Sequence, residues 1–245
     1  MRKIKIILEY DGAQYFGWQR QNGHRSIQGT LEEKIKIITR EDVTVIGSGR
    51  TDTGVHALNQ VAHFKMANEI REDDLLYALN SVLPEDIVIK ELKEVDPSFH
   101  ARFDVKSKKY LYRIWNGQTN TAIHRHYCWH IRKELDIDQM RKAAAYLTGT
   151  HDFKAFCGTG SKVKDYIRTV HQIEIEKENH EMILIAITSD GFLRHMVRNI
   201  VGTLADAGKN KLSPEDVKAI LESQDRRKAG MTAPSRGLFL VEVRY

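Results

Sequence analysis

The stretch Arg2–Gly12, RKIKIILEYDG, followed at Ser26–Thr39 by SIQGTLEEKIKIIT, sets the rhythm of the whole chain. In the first segment Ile4, Ile6, Leu8 and Tyr10 recur every second residue, the period of a half-buried strand, and Asp11-Gly12 supplies a turn. In the second, Ile27, Leu31, Ile35 and Ile38 share one helical face, and Ser26 is placed to cap it. Further along, VTVIG (Val43–Gly47) and QVAHF (Gln60–Phe64) read as short strands. DDLLYALNSVLP (Asp73–Pro84) reads as a helix closed by Pro84, and DIVIKELKEV (Asp86–Val95) as a strand. The second half repeats the pattern. KKYLYRIWN (Lys108–Asn116) predicts a strand, and DIDQMRKAAAYLTG (Asp136–Gly149) a helix with Asp136 or Asp138 as its cap. IRTVHQIEIEKEN (Ile167–Asn179) and EMILIAITSD (Glu181–Asp190) predict two strands. FLRHMVRNIVGTLADAG (Phe192–Gly208) predicts a strongly amphipathic helix, and GLFLVEVRY (Gly237–Tyr245) a final strand. The fold class expected is α+β: two similar halves, residues 1–105 and 106–245, sharing one continuous, mainly antiparallel sheet flanked by helices, with a cleft between them.

Composition narrows the class. Of the 245 residues 41% are hydrophobic and only four are proline, which favours a folded globule over a disordered chain. The net charge of +5 fits a polyanionic partner without demanding one. Cys128 and Cys157 stand far apart and form no C-x-x-C pair, so a reducing cytoplasm is expected, not a disulfide framework. Lys5 and Glu9 interrupt the apolar residues of the first strand, so it is no signal-peptide core. The longest apolar run, Ile183–Ile187, is too short to cross a bilayer.

The segment Gly47–Ala57, GSGRTDTGVHA, has little strand or helix periodicity and carries the most chemistry. A phosphate-binding P-loop needs Lys-Ser or Lys-Thr after its last glycine, whereas Val55 follows Gly54. A dinucleotide fingerprint needs a glycine where Asp52 stands. Asp52-Thr53-Gly54 spells the triplet of aspartic proteases, which share one proton between two carboxylates. In extended backbone, however, Arg50 points the same way as Asp52 and would hold that carboxylate ionised. What survives is an ionised aspartate as nucleophile or electrostatic stabiliser, among glycines that admit a bulky substrate. The bland competitor is a glycine-rich turn with a surface ion pair.

Three other segments bear on function. Lys106–Trp115 interleaves Lys106, Lys108, Lys109 and Arg113 with Tyr110, Tyr112 and Trp115. Cations that track phosphates beside aromatics that stack bases suit nucleic acid; lysines guarding an edge strand would look the same. On the expected helix after Phe192 the apolar stripe is Leu193, Met196, Val197, Ile200, Val201 and Leu204. Arg194 and Arg198 lie one turn apart at its edge, able to reach a phosphate or a carboxylate, and His195 falls on the opposite, polar side. HRHYCWH places His124, His126, Cys128 and His130 at alternating positions, a zinc-like set if the segment is a strand. Tetrahedral closure ordinarily takes ligands from two chain segments, so a partly buried polar strand is expected and no metal.

With these residues laid out, the chain resembles the TruA-type tRNA pseudouridine synthases. The likeness runs through YDGAQYFGWQRQ, SIQGTLEE, GSGRTDTGVHALNQVAHF, FHARFDVKSKKYLYRI, LTGTHDF, GFLRHMVRNIVGTL and AGMTAPSRGLFLVEVRY, in that order. Thr53 departs from the commoner alanine. The resemblance implies two related ferredoxin-like or RRM-like halves around a basic cleft, in a cytoplasmic homodimer. It implies isomerisation of uridine to pseudouridine at positions 38, 39 and 40 of the tRNA anticodon arm, with no cofactor. It implies Asp52 as catalytic nucleophile, Arg50 as the residue admitting the flipped base, Tyr110 in the active site and Arg198 as partner of the aspartate. Leu238 would line the uracil pocket, and Arg102, Lys108, Lys109 and Arg194 would contact the RNA backbone. The competing reading is a non-catalytic RNA-binding or chaperone module on the same fold.

Overall fold

The computed structural model describes residues 1–161, 163–178 and 180–245. In chain order the elements are β1 (Arg2–Tyr10), α1 (Ile27–Thr39), β2 (Ile46–Gly47), β3 (His56–Met66), α2 (Glu72–Val82), β4 (Ile87–Val95), β5 (Ser107–Trp115), β6 (Trp129–His130), α3 (Ile137–Ala145), β7 (Gly149–Asp152), β8 (Ile167–Lys177), β9 (Met182–Ser189), α4 (Met196–Gly208), α5 (Pro214–Ser223) and β10 (Leu238–Arg244). They form two compact units, Met1–Lys106 with Phe239–Tyr245, and Ser107–Leu238. Asn179, at the end of the strand expected over 167–179, lies outside the described residues.

The first unit is a mixed sheet in the order β4-β1-β3-β10. β1 runs antiparallel to both β3 and β4. The other edge of β3 is shared: β10 pairs with it in parallel at His56 and Ala57, and β2 pairs antiparallel at Ala62 and His63. The alternation read in β1 is realised, with Ile4, Ile6 and Leu8 fully buried, each contributing about 2 kcal/mol by burial. Ser26 caps α1 by accepting from the Gly29 N–H. α1 also buries Glu32, whose Oε1 accepts from the Val45 N–H at 3.0 Å and from Gln28 at 3.0 Å. That capture explains why the strand expected from Val43 begins only at Ile46: the backbone of Val45 is taken by a side chain instead of a ladder.

His63 sits inside this unit, 3% exposed, with Nδ1 accepting from the Ala101 N–H at 3.1 Å. Burial, helped by the charges of His100 and Lys3, pushes its pKa down to about 4. Unfolded, the same imidazole takes a proton below about 6.5. A lowered histidine pKa therefore leaves stability full above about pH 6.5 and erodes it as pH falls toward 4. Melting temperature should drop through that window, and His63→Gln should lose that part of the slope. An unchanged slope in the variant would assign it to other groups.

The second unit is a sheet in the order β5-β9-β8-β7, antiparallel throughout, with β6 added parallel to β5 at Ile114 and Trp115. Along β5 Tyr110, Tyr112 and Ile114 are buried and the residues between them half-buried. α3 packs against α4 and α5; a Cβ on Gly208 would lie 2.8 Å from the Met140 side chain of α3, so that crossing is close. α5 was not expected from the sequence. It is held by Pro214 at its start and a reciprocal capping box between Ser213 and Asp216.

Candidate active site

In the first unit the segment Ser48–Val55 joins β2 to β3 and is fastened at both ends. The Ser48 N–H donates to Val61 O at 2.7 Å and its hydroxyl to Gln60 Oε1 at 2.6 Å, while Gln60 Nε2 donates to Gly49 O at 3.1 Å. Thr51 is buried and its Oγ1 lies 2.8 Å from the Tyr10 hydroxyl. Gln60 Nε2 donates to that same phenol oxygen at 3.5 Å. Burial pushes the Tyr10 hydroxyl up to about 12, which keeps the proton in place. With Thr51 turned inward, its neighbours face outward: Arg50 is exposed and Asp52 half-buried.

A second segment braces the loop. The Trp18 N–H donates to Thr51 O at 3.0 Å and the Gly54 N–H to Tyr15 O at 3.3 Å, so backbone bonds flank Asp52 on both sides. Contact is close enough that glycines are obligatory. A Cβ on Gly17, at φ +79°, would lie 2.4 Å from Thr51 O; one on Gly12 would lie 1.9 Å from Val55 O. The Asp52 carboxylate is therefore displayed from a rigid backbone, as a preorganised charge should be. Arg50, the neighbour expected to hold that carboxylate ionised, is exposed.

The second unit assembles the other expected groups. Tyr110 is buried on β5 and meets Phe192 edge-on, with ring centroids 5.0 Å apart. Arg198, on the first turn of α4, donates from Nε to Ala233 O at 2.7 Å, and the Ala233 N–H returns a bond to Arg198 O at 3.1 Å. The next carbonyl, Pro234 O, accepts from the Tyr112 hydroxyl at 2.7 Å. A Cβ on Gly237 would lie 2.7 Å from the Tyr112 ring. Segment 233–237 thus ties Arg198 to the β5 face that carries Tyr112 and Tyr110, and leads directly to Leu238, which is buried. Arg226 anchors the loop from behind. Its NH1 reaches Ala229 O and Gly230 O, and its NH2 reaches Asn199 Oδ1 and Thr232 Oγ1, all at 2.9–3.2 Å.

A family model described as tRNA pseudouridine synthase matches residues 6–104 and 143–245, which include the Asp52 loop with its bracing segment, Arg198 and Leu238 but not Tyr110 or Tyr112. The chain belongs to this family. The tRNA pseudouridine synthase A of Thermoanaerobacter sp. (strain X514) is 51% identical over 245 residues, covering all of both chains. The protein of the same name from Acetivibrio thermocellus is 48% identical over the same span. A solved structure described as a Cbf5-Nop10-Gar1 complex superposes with a TM-score of 0.37 at 12% identity, covering 96% of this chain and 57% of that one.

In this tRNA pseudouridine synthase family member the expected backbone-contact residues differ in their freedom. Arg102 is exposed in the turn after Phe99, whereas Lys109 is already paired with Glu174 at 2.8 Å. Lys108 is half-buried. Arg194 and Arg198 do not share a helix edge as expected. α4 starts only at Met196, because His195 takes a left-handed conformation (φ 58°) as its cap. Arg194 precedes the helix and donates to Thr159 O at 3.0 Å, and Leu193 likewise lies outside the helical stripe. His195 packs over Gly158, where a Cβ would meet its ring at 2.8 Å. The alternating histidines fall mostly in a turn: only Trp129 and His130 are strand, and Cys128 donates to His124 O at 3.1 Å. His124, His126, Cys128 and His130 therefore share no strand face, and no cluster of three or more potential ligands occurs among the described residues. The reading of residue types missed the supports: Tyr10 for Thr51, Gln60 for Ser48, Gly17 against the loop and Arg226 behind Asn199. The glycines of YDG and FGW were the one visible signal.

Proposed function

We propose that this chain isomerises uridine to pseudouridine at positions 38, 39 and 40 of the tRNA anticodon arm, with Asp52 as nucleophile. The observation that carries the reading is the doubly braced loop that displays Asp52, in a chain 51% identical throughout to a tRNA pseudouridine synthase A. The reaction breaks N1–C1′, turns the uracil and forms C5–C1′; the C5 proton leaves and N1 gains one. Bonds and oxidation level balance, so the isomerisation calls for no cofactor.

In this reading residues 1–105 carry the Asp52 loop and residues 106–245 the active-site tyrosine and arginine, as two ferredoxin-like halves around a basic cleft, in a cytoplasmic homodimer. Extruding the target base costs a few kcal/mol of stacking; the exposed Arg50 occupies the space vacated or holds the backbone. Arg198, oriented through Ala233, pairs with the carboxylate and favours the anion that attacks. Tyr110 stacks on the uracil and its hydroxyl serves the C5 proton, Leu238 lines the pocket, and Arg102, Lys108, Lys109 and Arg194 hold phosphates. A non-catalytic RNA-binding module gives no reason for so rigid a display of one carboxylate.

The test is tritium release from tRNA labelled at uracil C5, with nucleoside digestion to identify pseudouridine. Absence of pseudouridine from every tRNA tried would end the proposal. Tyr110→Phe should bind tRNA normally yet slow single turnover by about 10²-fold or more. A wild-type rate in that variant would remove the hydroxyl from the chemistry.

A further inference from the structure

The segment that braces the Asp52 loop also carries an exposed aromatic residue. Phe16 lies between the two residues whose backbones bond to that loop, Tyr15 to Gly54 and Trp18 to Thr51. It is 48% exposed. One face of its ring rests on His24, with centroids 4.1 Å apart and planes 29° from parallel. Neither partner is held loosely. The Phe16 N–H donates to Arg25 O at 2.9 Å, and Phe16 O accepts from Gln21 Nε2 at 3.3 Å. His24 is set by a turn over Gln21–His24, in which Gly23 at φ +76° supplies the positive angle that a type II turn requires at its third residue. The surroundings are cationic. Arg20 and Arg25 are exposed on the same segment and Arg50 on the neighbouring loop. Arg20 and Arg25 are each held by a carboxylate, Glu32 at 3.2 Å and Asp86 at 3.7 Å, and Arg25 also lies 4.5 Å from the Tyr15 ring.

A flat ring fixed from behind, half open in front and on a segment that carries two exposed arginines suits a nucleobase attached to a phosphate chain. A scattered surface phenylalanine would need no such support. We propose that the Phe16–His24 pair is a stacking site for an RNA base next to the uridine presented to Asp52, holding the strand in place while the target base is out of its stack. The site rests on the pseudouridine synthase reading for the identity of that neighbour, and its own content is the aromatic contact.

The experiment measures binding of the full-length protein to a synthetic anticodon stem-loop RNA by fluorescence anisotropy, alongside pseudouridine formation. The RNA is used intact and with an abasic site on either side of the target uridine. Phe16→Leu keeps apolar bulk but removes the π face, and should weaken binding to intact RNA roughly tenfold. Phe16→Trp should bind as wild type does. On one of the two abasic RNAs, wild type and Phe16→Leu should bind alike. Equal binding of Phe16→Leu and wild type to intact RNA would overturn the site, as would the same loss on both abasic RNAs. So would an altered sedimentation coefficient with RNA affinity unchanged, which would mark a contact between copies. Should no pseudouridine form with any RNA, the isomerase reading fails and the binding comparison still decides the stacking site.

Discussion

Asp52→Asn should bind tRNA and make no pseudouridine. Asparagine keeps the shape of the side chain and removes the charge. Other residues position the backbone of the loop. Thr51 is held by Tyr10, Ser48 by Gln60, and the flanking backbone by Trp18 and Tyr15. Melting temperature should therefore stay close to wild type. Losing an essential nucleophile lowers turnover by about 10⁴-fold or more, while affinity rests on cations and aromatics that the substitution leaves alone. Tritium release checks turnover and filter binding checks affinity. Appreciable turnover would take Asp52 out of the chemistry. A collapse of affinity would mean that the carboxylate organises the binding surface, and would undo the division between binding and catalysis.

The second large effect is expected at a residue with no chemistry of its own. Gly17→Ala places a methyl group 2.4 Å from Thr51 O and 2.9 Å from the backbone carbon of Asp52, at a backbone angle of φ +79°. Both neighbours are main chain, so no side chain can swing aside. The left-handed angle alone costs about 1 kcal/mol for alanine. The two segments must also part by a fraction of an ångström or more, and a displacement of about 1 Å at reacting groups costs about 10²-fold in rate. Thermal melts should show a modest loss of stability, and single-turnover kinetics at saturating protein a drop near 10²-fold. A wild-type rate would show that the loop tolerates displacement and that its rigid bracing is unrelated to catalysis.

Most regular elements could be read from local pattern. β1 follows from alternation at Ile4, Ile6 and Leu8, α1 from its stripe and Ser26, and α3 from Asp136, one of the two caps expected, whose side chain accepts from the Gln139 N–H. The misreadings share a cause: a specific interaction overrode the pattern. Glu32 captured Val45, the left-handed His195 delayed α4, and His124 O accepts from the Tyr127 N–H and the Cys128 thiol in a turn where a strand was expected. α5 went unread although Ser213, Pro214 and Asp216 spell its cap, because only Val217, Ile220 and Leu221 follow as an apolar stripe. At the candidate site, Asp52 and Tyr110 stood out by residue type and resemblance. What holds Asp52 did not, because Tyr10 and Thr51 lie 41 positions apart and single residue types carry no record of such pairing.

The parallel pairing of Phe239 and Leu240 with His56 and Ala57 has a consequence for biosynthesis. Residues 1–106 leave the ribosome long before the seven residues that complete their sheet, with all of 107–238 made in between. Until then the start of β3, directly after the Asp52 loop, presents an unfilled strand edge to other nascent chains. The edge left open until then adjoins the loop that displays Asp52.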